Sequence, residues 1–164
     1  MIGYLDASSF ERSAGSSLLW FKKGLAETGF IEDRNIRIEY RWADDQYERL
    51  PKLALELVRR RVAVLVAAGS PVALPAKAAT SDIPVVFMIG SDPVEMGLVA
   101  SFNHPGGNLT GFAYLNAEVA PKRLELLHEF VPAAESIALL VNPVAAGAEA
   151  NSCRRSSALS GCTS

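Results

Sequence analysis

The stretch "VLVAAGSPVALP" at residues 64–75 is an apolar run that ends at a glycine and continues into a segment of helical pattern. The stretch "VFMIGSDPVEMG" at residues 86–97 repeats this arrangement further along the chain. Apolar runs of strand length are typical of parallel strands that helices cover on both faces. The two stretches therefore predict neighbouring buried strands, each of which turns into a helix through a corner of Gly, Ser and Pro.

Strand and helix patterns alternate along most of the chain. Strand patterns occupy residues 2–5, 35–43, 62–68, 83–89 and 136–143, and helix patterns occupy residues 16–28, 46–60, 71–80, 91–102 and 121–131. This alternation predicts an α/β fold with a doubly wound parallel sheet. Residues 35–43 alternate apolar and charged side chains, so we expect that strand at an edge of the sheet with one wet face. Pro75 is expected to bend its helix or to set its first turn.

The composition excludes several classes of function. The chain has 164 residues, of which 49% are hydrophobic, and a net charge of -2. It can therefore bury a sizeable core, and it gives no electrostatic case for binding nucleic acid. No apolar run approaches the roughly 18 residues that a membrane-spanning helix needs. The two cysteines, Cys153 and Cys162, form neither a disulfide framework nor a zinc-binding spacing.

The sequence offers no set of catalytic residues. No glycine fingerprint for a dinucleotide follows the first strand, and there is neither a phosphate-binding loop with lysine nor a nucleophile-elbow serine. Asp6 follows the first strand pattern, but it has no acidic neighbour with which to form a phosphoryl-transfer site. His104 and His128 fall on a loop and a helix, where we expect them at the surface. We therefore predict a protein that is not an enzyme, with no metal site and no cofactor.

The carboxyl ends of the predicted strands carry the candidate ligand-binding residues, because ligands of doubly wound sheets bind outside these ends. The candidates are Asp6, Ser8, Ser9, Gly69, Ser70, Pro71, Ser91, Asp92 and Pro93. Glycine lets the backbone come close to a ligand, serine hydroxyls donate or accept, and the first N–H groups of a helix attract anions. Two such corners together would suit a carboxylate or an oxyanion. The alternative is that these residues serve only turns and helix caps.

Several ordered segments resemble one protein family. They are "GYLD" at residues 3–6, "KGLAETGFIEDRNIRIEYRWADDQYERLPKLALELVRRRVAVLVAAG" at 23–69, "IPVVFMIGSDPVEMGLVASFNHPGGNLTGF" at 83–112, "KRLELLHEFVP" at 122–132 and "IALLVNP" at 137–143. Together they resemble the ABC-transporter substrate-binding proteins of the tryptophan/tyrosine-permease-like group, over residues 2–148. The resemblance implies the type I periplasmic binding protein fold, in which two α/β lobes joined by a hinge close on a small ligand.

The same resemblance implies a function and a partner. The ligand would be an aromatic amino acid or another small organic solute, the partner would be the membrane permease of an ABC importer, and the location would be the periplasm or cell envelope. Two alternatives stay open: a Rossmann-like nucleotide-binding domain and a stand-alone single-lobe sensor. The first alternative needs a glycine fingerprint, which the loop "DASSFERSAG" at residues 6–15 lacks. The absence of a signal sequence favours the second, while the abrupt end of the chain counts against it.

The resemblance also divides the chain. It assigns residues 1–108 to an N-terminal lobe, 109–116 to a hinge crossing that includes Gly111, Phe112 and Tyr114, 117–149 to one helix and one strand of a second lobe, and 150–164 to an aberrant or disordered tail. No signal sequence precedes the first strand pattern, so a chain expressed as written is expected in the cytoplasm.

The tail "NSCRRSSALSGCTS" suggests a frameshift or truncation near Ala150, and a genuine disordered C-terminus is the alternative. A truncated second lobe has two expected consequences. Ligand binding should be weak or absent, and the chain should self-associate through exposed edges such as residues 137–141.

Overall fold

The computed structural model describes residues 1–114, 119–133 and 136. Two compact units divide after Tyr114. The first unit contains β1 (Ile2–Asp6), α1 (Phe10–Ala14), α2 (Ser17–Glu27), β2 (Ile38–Trp42), a 3-10 turn (Tyr47–Arg49), α3 (Leu50–Arg59), β3 (Val64–Ala68), α4 (Ser70–Ala79), β4 (Val85–Ile89) and β5 (Leu109–Ala113). The described part of the second unit holds α5 (Ala120–Phe130). Across these described ranges, no helix is both long and apolar enough to cross a membrane.

The sheet has the strand order β2-β1-β3-β4-β5, and every neighbouring pair is parallel. The chain passes from β1 to β2 on one side and then returns through α3 to β3 on the other side. The strand order therefore reverses between β1 and β3, whose carboxyl ends flank the position where ligands of such sheets bind. The predicted parallel sheet and the predicted edge position of β2 are both confirmed.

Helices pack on both faces of the sheet, which confirms the doubly wound arrangement. Alternate residues of a strand point to opposite faces, so Leu5 and Tyr4 enter different cores. On one face the apolar stripe of α3 meets the sheet, and its buried residues are Leu50, Leu53, Ala54 and Leu57. On the other face Leu18 of α2 packs with Tyr4 and Ile38. Burial of each such leucine stabilises the fold by about 1.5–3 kcal/mol.

The prediction of a helix over residues 91–102 is wrong, because the structure has only a turn at residues 93–97. Gly97 ends this turn with a φ of 67°, in the left-handed region that favours glycine. Leu98 and Val99 follow it and are buried in the core, so the chain is drawn back to the sheet before a second helical turn can form. Pro75 does not set the first turn of α4, because the helix begins at Ser70 and continues past the proline to Ala79.

The segment assigned to a hinge begins with a strand. Gly111 and Phe112 lie in β5, which pairs with β4 in the register Phe87↔Gly111 and Met88↔Phe112. The first compact unit consequently runs to Tyr114 rather than to residue 108. In the second unit, α5 begins and ends one residue before the predicted helix at 121–131. The predicted strand at 136–143 falls almost wholly outside the described residues, and the tail at 150–164 lies entirely outside them.

Gly111→Ala is expected to destabilise the protein by about 3 kcal/mol, at the upper end of what overpacking costs. A Cβ at this position would lie 2.2 Å from the carbonyl oxygen of Phe87 and 2.5 Å from its ring, so β4 and β5 would have to separate. Gly24→Ala in α2 is the matched control, because a Cβ there meets nothing within 4 Å. The control should gain roughly 0.5–1 kcal/mol from helix propensity. Urea unfolding of both variants measures the difference, and equal stabilities would contradict the packing at Gly111.

Candidate ligand-binding site

The two serine-containing corners predicted from the sequence, at residues 69–71 and 91–93, meet in the structure. The Ser70 and Ser91 hydroxyl oxygens lie 3.3 Å apart, at hydrogen-bonding distance. The backbone N–H of Gly90 donates to Ser70 Oγ (3.2 Å), and the N–H of Gly69 donates to the carbonyl of Met88 (2.8 Å). Beyond the sheet, the ends of β3 and β4 are thus joined by side-chain contacts as well as by a backbone hydrogen bond. Ser70 and Ser91 are both partly exposed, so solvent or a small molecule can reach them.

The backbone can adopt this arrangement because residue 69 is a glycine. Its φ of 102° and ψ of 147° belong to a region that only glycine adopts without strain. The chain can therefore leave β3 and begin α4 at the very next residue, Ser70. Pro71 follows and has no N–H to offer, and the N–H of Val72 donates to the carbonyl of Gly69 (3.0 Å). In the first turn of α4, Ser70 is the residue whose N–H can serve a ligand.

The second corner differs from the expected one, because it opens a turn and not a helix. Asp92 Oδ1 accepts hydrogen bonds from the backbone N–H groups of Val94 (2.6 Å) and Glu95 (3.1 Å). Pro93 is buried. Asp92 therefore fits the capping alternative, and both residues hold the corner that presents Ser91.

Asp6 is buried, with 5% of its surface exposed, and its carboxylate is satisfied within the protein. Oδ1 accepts from the Ser8 N–H and from the Ser8 hydroxyl, each at 2.9 Å. Oδ2 accepts from the Ser13 hydroxyl at 2.7 Å. Ser13 lies 3.1 Å from Ser17, which accepts from the Tyr4 hydroxyl at 3.3 Å. Burial raises the pKa of that Tyr4 hydroxyl. Asp6 and Ser8 thus fix the shape of the β1–α1 loop.

Backbone contacts tie the same loop to the segment after β2. The N–H of Ala43 donates to the carbonyl of Asp6 (3.0 Å), and the N–H of Asp45 donates to the carbonyl of Ala7 (2.8 Å). The Arg12 guanidinium donates two hydrogen bonds to the Asp45 carboxylate, at 2.9 and 2.6 Å. The β1–α1 loop is therefore held both by its own polar side chains and by contacts to the segment after β2.

Ser9, the remaining candidate of this loop, lies at the N-cap position of α1. The Ser9 carbonyl accepts hydrogen bonds from the Ser13 N–H (3.1 Å) and from the Ser8 hydroxyl (3.3 Å). Interactions with its own backbone N–H and with the Ser9 hydroxyl lower the pKa of the Glu11 carboxyl.

Two aromatic residues at this end of the sheet were not among the predicted candidates. Trp42 ends β2 and pairs in register with Asp6. Phe10 follows the Ser8–Ser9 corner, has 54% of its surface exposed, and meets the edge of the Trp42 ring at a centroid distance of 5.7 Å. Trp42 in turn stacks on Tyr40 at 5.9 Å. The sequence signal that could have identified Phe10 was an apolar residue directly after the polar residues Ser8 and Ser9.

The side chains at this site are hydroxyls, engaged carboxylates and aromatic rings. Within residues 1–114, 119–133 and 136, no three potential metal-ligating side chains come together. The described chemistry is thus hydrogen bonding at Ser70 and Ser91, after β3 and β4, and an aromatic surface at Phe10 and Trp42 on the β1–β2 side of the same end of the sheet.

Residues 16–158 match the family model described as "ABC transporter substrate binding protein". The chain belongs to this family. A tyrosine-binding protein of Clostridioides difficile (strain R20291) is 34% identical over 123 residues, which make up 74% of this chain and 35% of that protein. The chain thus covers only about a third of that curated relative.

Solved structures share the fold of this chain. A conserved domain protein from Vibrio cholerae superposes with a TM-score of 0.83 at 27% identity, and an ABC domain from Streptococcus pneumoniae in complex with L-Trp superposes with a TM-score of 0.72 at 25% identity. Each comparison covers 96% of this chain, but only 53% of the first neighbour and 51% of the second. The chain therefore spans about half the length of these solved neighbours.

Asp6→Ala is expected to cost about 3 kcal/mol of stability, because it leaves the Ser8 N–H and the Ser13 hydroxyl without their acceptors in a buried site. Asp6→Asn keeps the shape of the side chain and one oxygen that can accept hydrogen bonds, so it should lower the free energy of unfolding by only about 1 kcal/mol. Chemical denaturation of the two variants tests this order. Equal and negligible losses would show that the Asp6 carboxylate does not organise the loop.

Proposed function

We propose that this chain supplies one ligand-binding lobe to the solute receptor of an ABC importer, and that Ser70 and Ser91 bind the carboxylate of an amino acid. One observation carries the proposal: the two hydroxyls lie 3.3 Å apart at the carboxyl end of the sheet, beside the reversal of strand order. Membership of the substrate-binding family supports it.

The hydroxyl pair suits an anion with two oxygens. Ser70 Oγ accepts from the Gly90 N–H, so its own hydrogen can be donated to a ligand. Ser91 has a hydroxyl hydrogen of its own, and a carboxylate can accept one hydrogen bond from each serine. The Ser70 N–H lies at the start of the ten-residue helix α4, where the helix dipole favours an anion by about 0.3–1 kcal/mol.

Phe10 gives the site a preference for an aromatic side chain. Its ring is 54% exposed, and Trp42 supports it from the edge. Aromatic pairs gain about 0.5–1.5 kcal/mol beyond the area they bury. The relative described as tyrosine-binding and the neighbour solved with L-Trp support an aromatic amino acid as the ligand.

The remaining candidates act on the shape of the site. Gly69 and Pro71 set the start of α4, Asp92 and Pro93 hold the Ser91 corner, and the Asp6–Ser8–Ser9 loop places Phe10. Among the described residues of this corner, the carboxylates of Asp6 and Asp92 already accept hydrogen bonds from the protein. The site therefore binds its ligand and does not convert it.

A single lobe should bind weakly. Small-molecule sites bury about 70–90% of the ligand, and a two-lobed receptor divides this burial between its lobes. An intact site of micromolar affinity corresponds to a binding free energy of roughly 8 kcal/mol. If half of the contacts are lost, roughly 4 kcal/mol remains, which corresponds to a millimolar Kd. The full receptor would work with a membrane permease at the cell envelope, where the family's importers take up their solutes.

The purified chain is expected to bind L-tryptophan with a millimolar Kd in a ligand-observed NMR titration. Ser70→Ala combined with Ser91→Ala should weaken this affinity at least about tenfold, since a hydrogen bond to a charged group contributes about 1.5–3 kcal/mol. Ser81→Ala is the matched control, because its exposed hydroxyl contacts only Asp82. Equal affinity of the double variant and the control would overturn the role of the corner.

Phe10→Ala is expected to reduce the preference for L-tryptophan over L-leucine by about three- to tenfold, while leaving the affinity for L-leucine almost unchanged. The same titration, run with both amino acids, provides the measurement. If both affinities fall together, Phe10 supports the loop instead of contacting the aromatic ring.

A further inference from the structure

The aspartates that follow β1, β2 and β4 differ in how their carboxylates are engaged. Both oxygens of Asp6 accept hydrogen bonds from serine hydroxyls. Asp44 and Asp45 follow β2, and each forms an ion pair with an arginine, at 3.0 and 2.6 Å. Asp92 follows β4, and in the described part of the chain no lysine or arginine is paired with it. Of these four aspartates, Asp92 is therefore the one whose charge is left for another group to balance.

Only one of the two Asp92 carboxylate oxygens is used by the turn that follows β4. Oδ1 accepts from the backbone N–H groups of Val94 (2.6 Å) and Glu95 (3.1 Å). Oδ2 has no hydrogen-bond donor among residues 1–114, 119–133 and 136. An ionised carboxylate has about four acceptor positions on its two oxygens. Because Asp92 is partly exposed and directly follows Ser91, Oδ2 is available to a molecule that binds at Ser91.

The charge of Asp92 opposes a ligand that is only an anion. The Cα atoms of adjacent residues such as Ser91 and Asp92 are about 3.8 Å apart. A ligand carboxylate bound at Ser91 would therefore lie close to a second carboxylate, and like charges brought together in a binding site disfavour the complex. A positive group on the ligand, next to its carboxylate, would remove this repulsion.

We propose that Asp92 Oδ2 binds the α-ammonium group of an amino acid whose carboxylate is held by Ser70 and Ser91. This inference rests on the proposed function and defines its substrate class: zwitterionic α-amino acids, in preference to carboxylic acids that have no ammonium group. In an α-amino acid both charged groups are attached to one carbon atom, so two neighbouring residues of one loop can hold both of them. Asp92 thus has two roles, with one oxygen for the turn and the other for the ligand.

The same carboxylate contributes to selectivity in two ways. It accepts a hydrogen bond from the ammonium group, and hydrogen bonds between charged groups are shorter and stronger than those between neutral groups. It also repels an acid that lacks the ammonium group, and specificity depends on such repulsion as much as on attraction. The aromatic contact proposed for Phe10 does not distinguish the two kinds of ligand, because it involves only the ring.

Titrations of the full chain with L-tryptophan and with indolepropionic acid, followed by amide chemical shifts, test the proposal. Indolepropionic acid keeps the ring, the chain and the carboxylate of tryptophan but lacks its ammonium group. The wild-type chain should bind L-tryptophan at least about fivefold more tightly. Asp92→Asn should remove most of this preference, because the amide oxygen can still accept from Val94 and Glu95 while an NH2 group replaces Oδ2.

Asp82→Asn is the matched control, because it also removes one negative charge. Asp82 is exposed and lies before the start of β4, at the opposite end of the strand, where its carboxylate accepts from the Ser81 hydroxyl (3.1 Å). The preference for L-tryptophan should be unchanged in this variant. Asp92→Ser keeps an oxygen that can cap the turn but carries no charge, so it should lose the preference as Asp92→Asn does. The dispersion of the amide spectrum shows which variants are folded.

Three results would overturn the proposal. They are equal affinity of the wild-type chain for the two compounds, a preference that survives both substitutions of Asp92, and a preference that Asp82→Asn reduces equally. In these cases the proposed function still stands if Ser70→Ala combined with Ser91→Ala weakens the binding of both compounds. If L-tryptophan does not bind, or if the serine double variant binds both compounds as the wild-type chain does, the proposed function fails and this inference fails with it.

Discussion

Pairing between β3 and β4 fixes the position of the candidate site. The register sets Ala68 beside Met88, so the two strands reach the edge of the sheet at nearly the same level. Gly69 then turns through a conformation that needs glycine, and Gly90 donates to the hydroxyl of Ser70. The meeting of Ser70 and Ser91 follows from this register. A slip of one residue would turn the side chains of one strand to the opposite face and separate the two corners.

The neighbouring β1–α1 loop is held by a different kind of interaction. Asp6 is a buried carboxylate, and a buried charge is tolerated only when its oxygens accept hydrogen bonds. Ser8 and Ser13 provide those hydrogen bonds, and the loop that results carries Phe10 to the same end of the sheet. A polar network thus sets the shape of this loop, while the Ser70 and Ser91 hydroxyls lie beside it at the ends of β3 and β4. The chain spans about half the length of the solved neighbours.

Periodicity was sufficient to predict the fold class, the edge position of β2 and the apolar stripe of α3, because each depends on local pattern and burial. The absence of a helix at residues 91–102 was not predictable in this way, since burial of Leu98 and Val99 overrides the local pattern. The tight fit of Gly111 against Phe87 was likewise hidden, because it depends on how closely β4 and β5 approach. For the site, the sequence indicated two loops that the structure brings together at Ser70 and Ser91, and their role in ligand binding stays a prediction. It could not separate Ser70 and Ser91, which face each other, from Asp6 and Asp92, whose partners are within the protein.

Binding of an amino acid at Ser70 and Ser91 can be tested by titrating the isotope-labelled chain with L-tryptophan and following the amide chemical shifts. We expect saturable shifts at millimolar ligand that are largest at Gly69, Ser70, Gly90 and Ser91, with smaller shifts near Phe10. Shifts that leave these amides unchanged, or that concentrate elsewhere on the sheet, would contradict it.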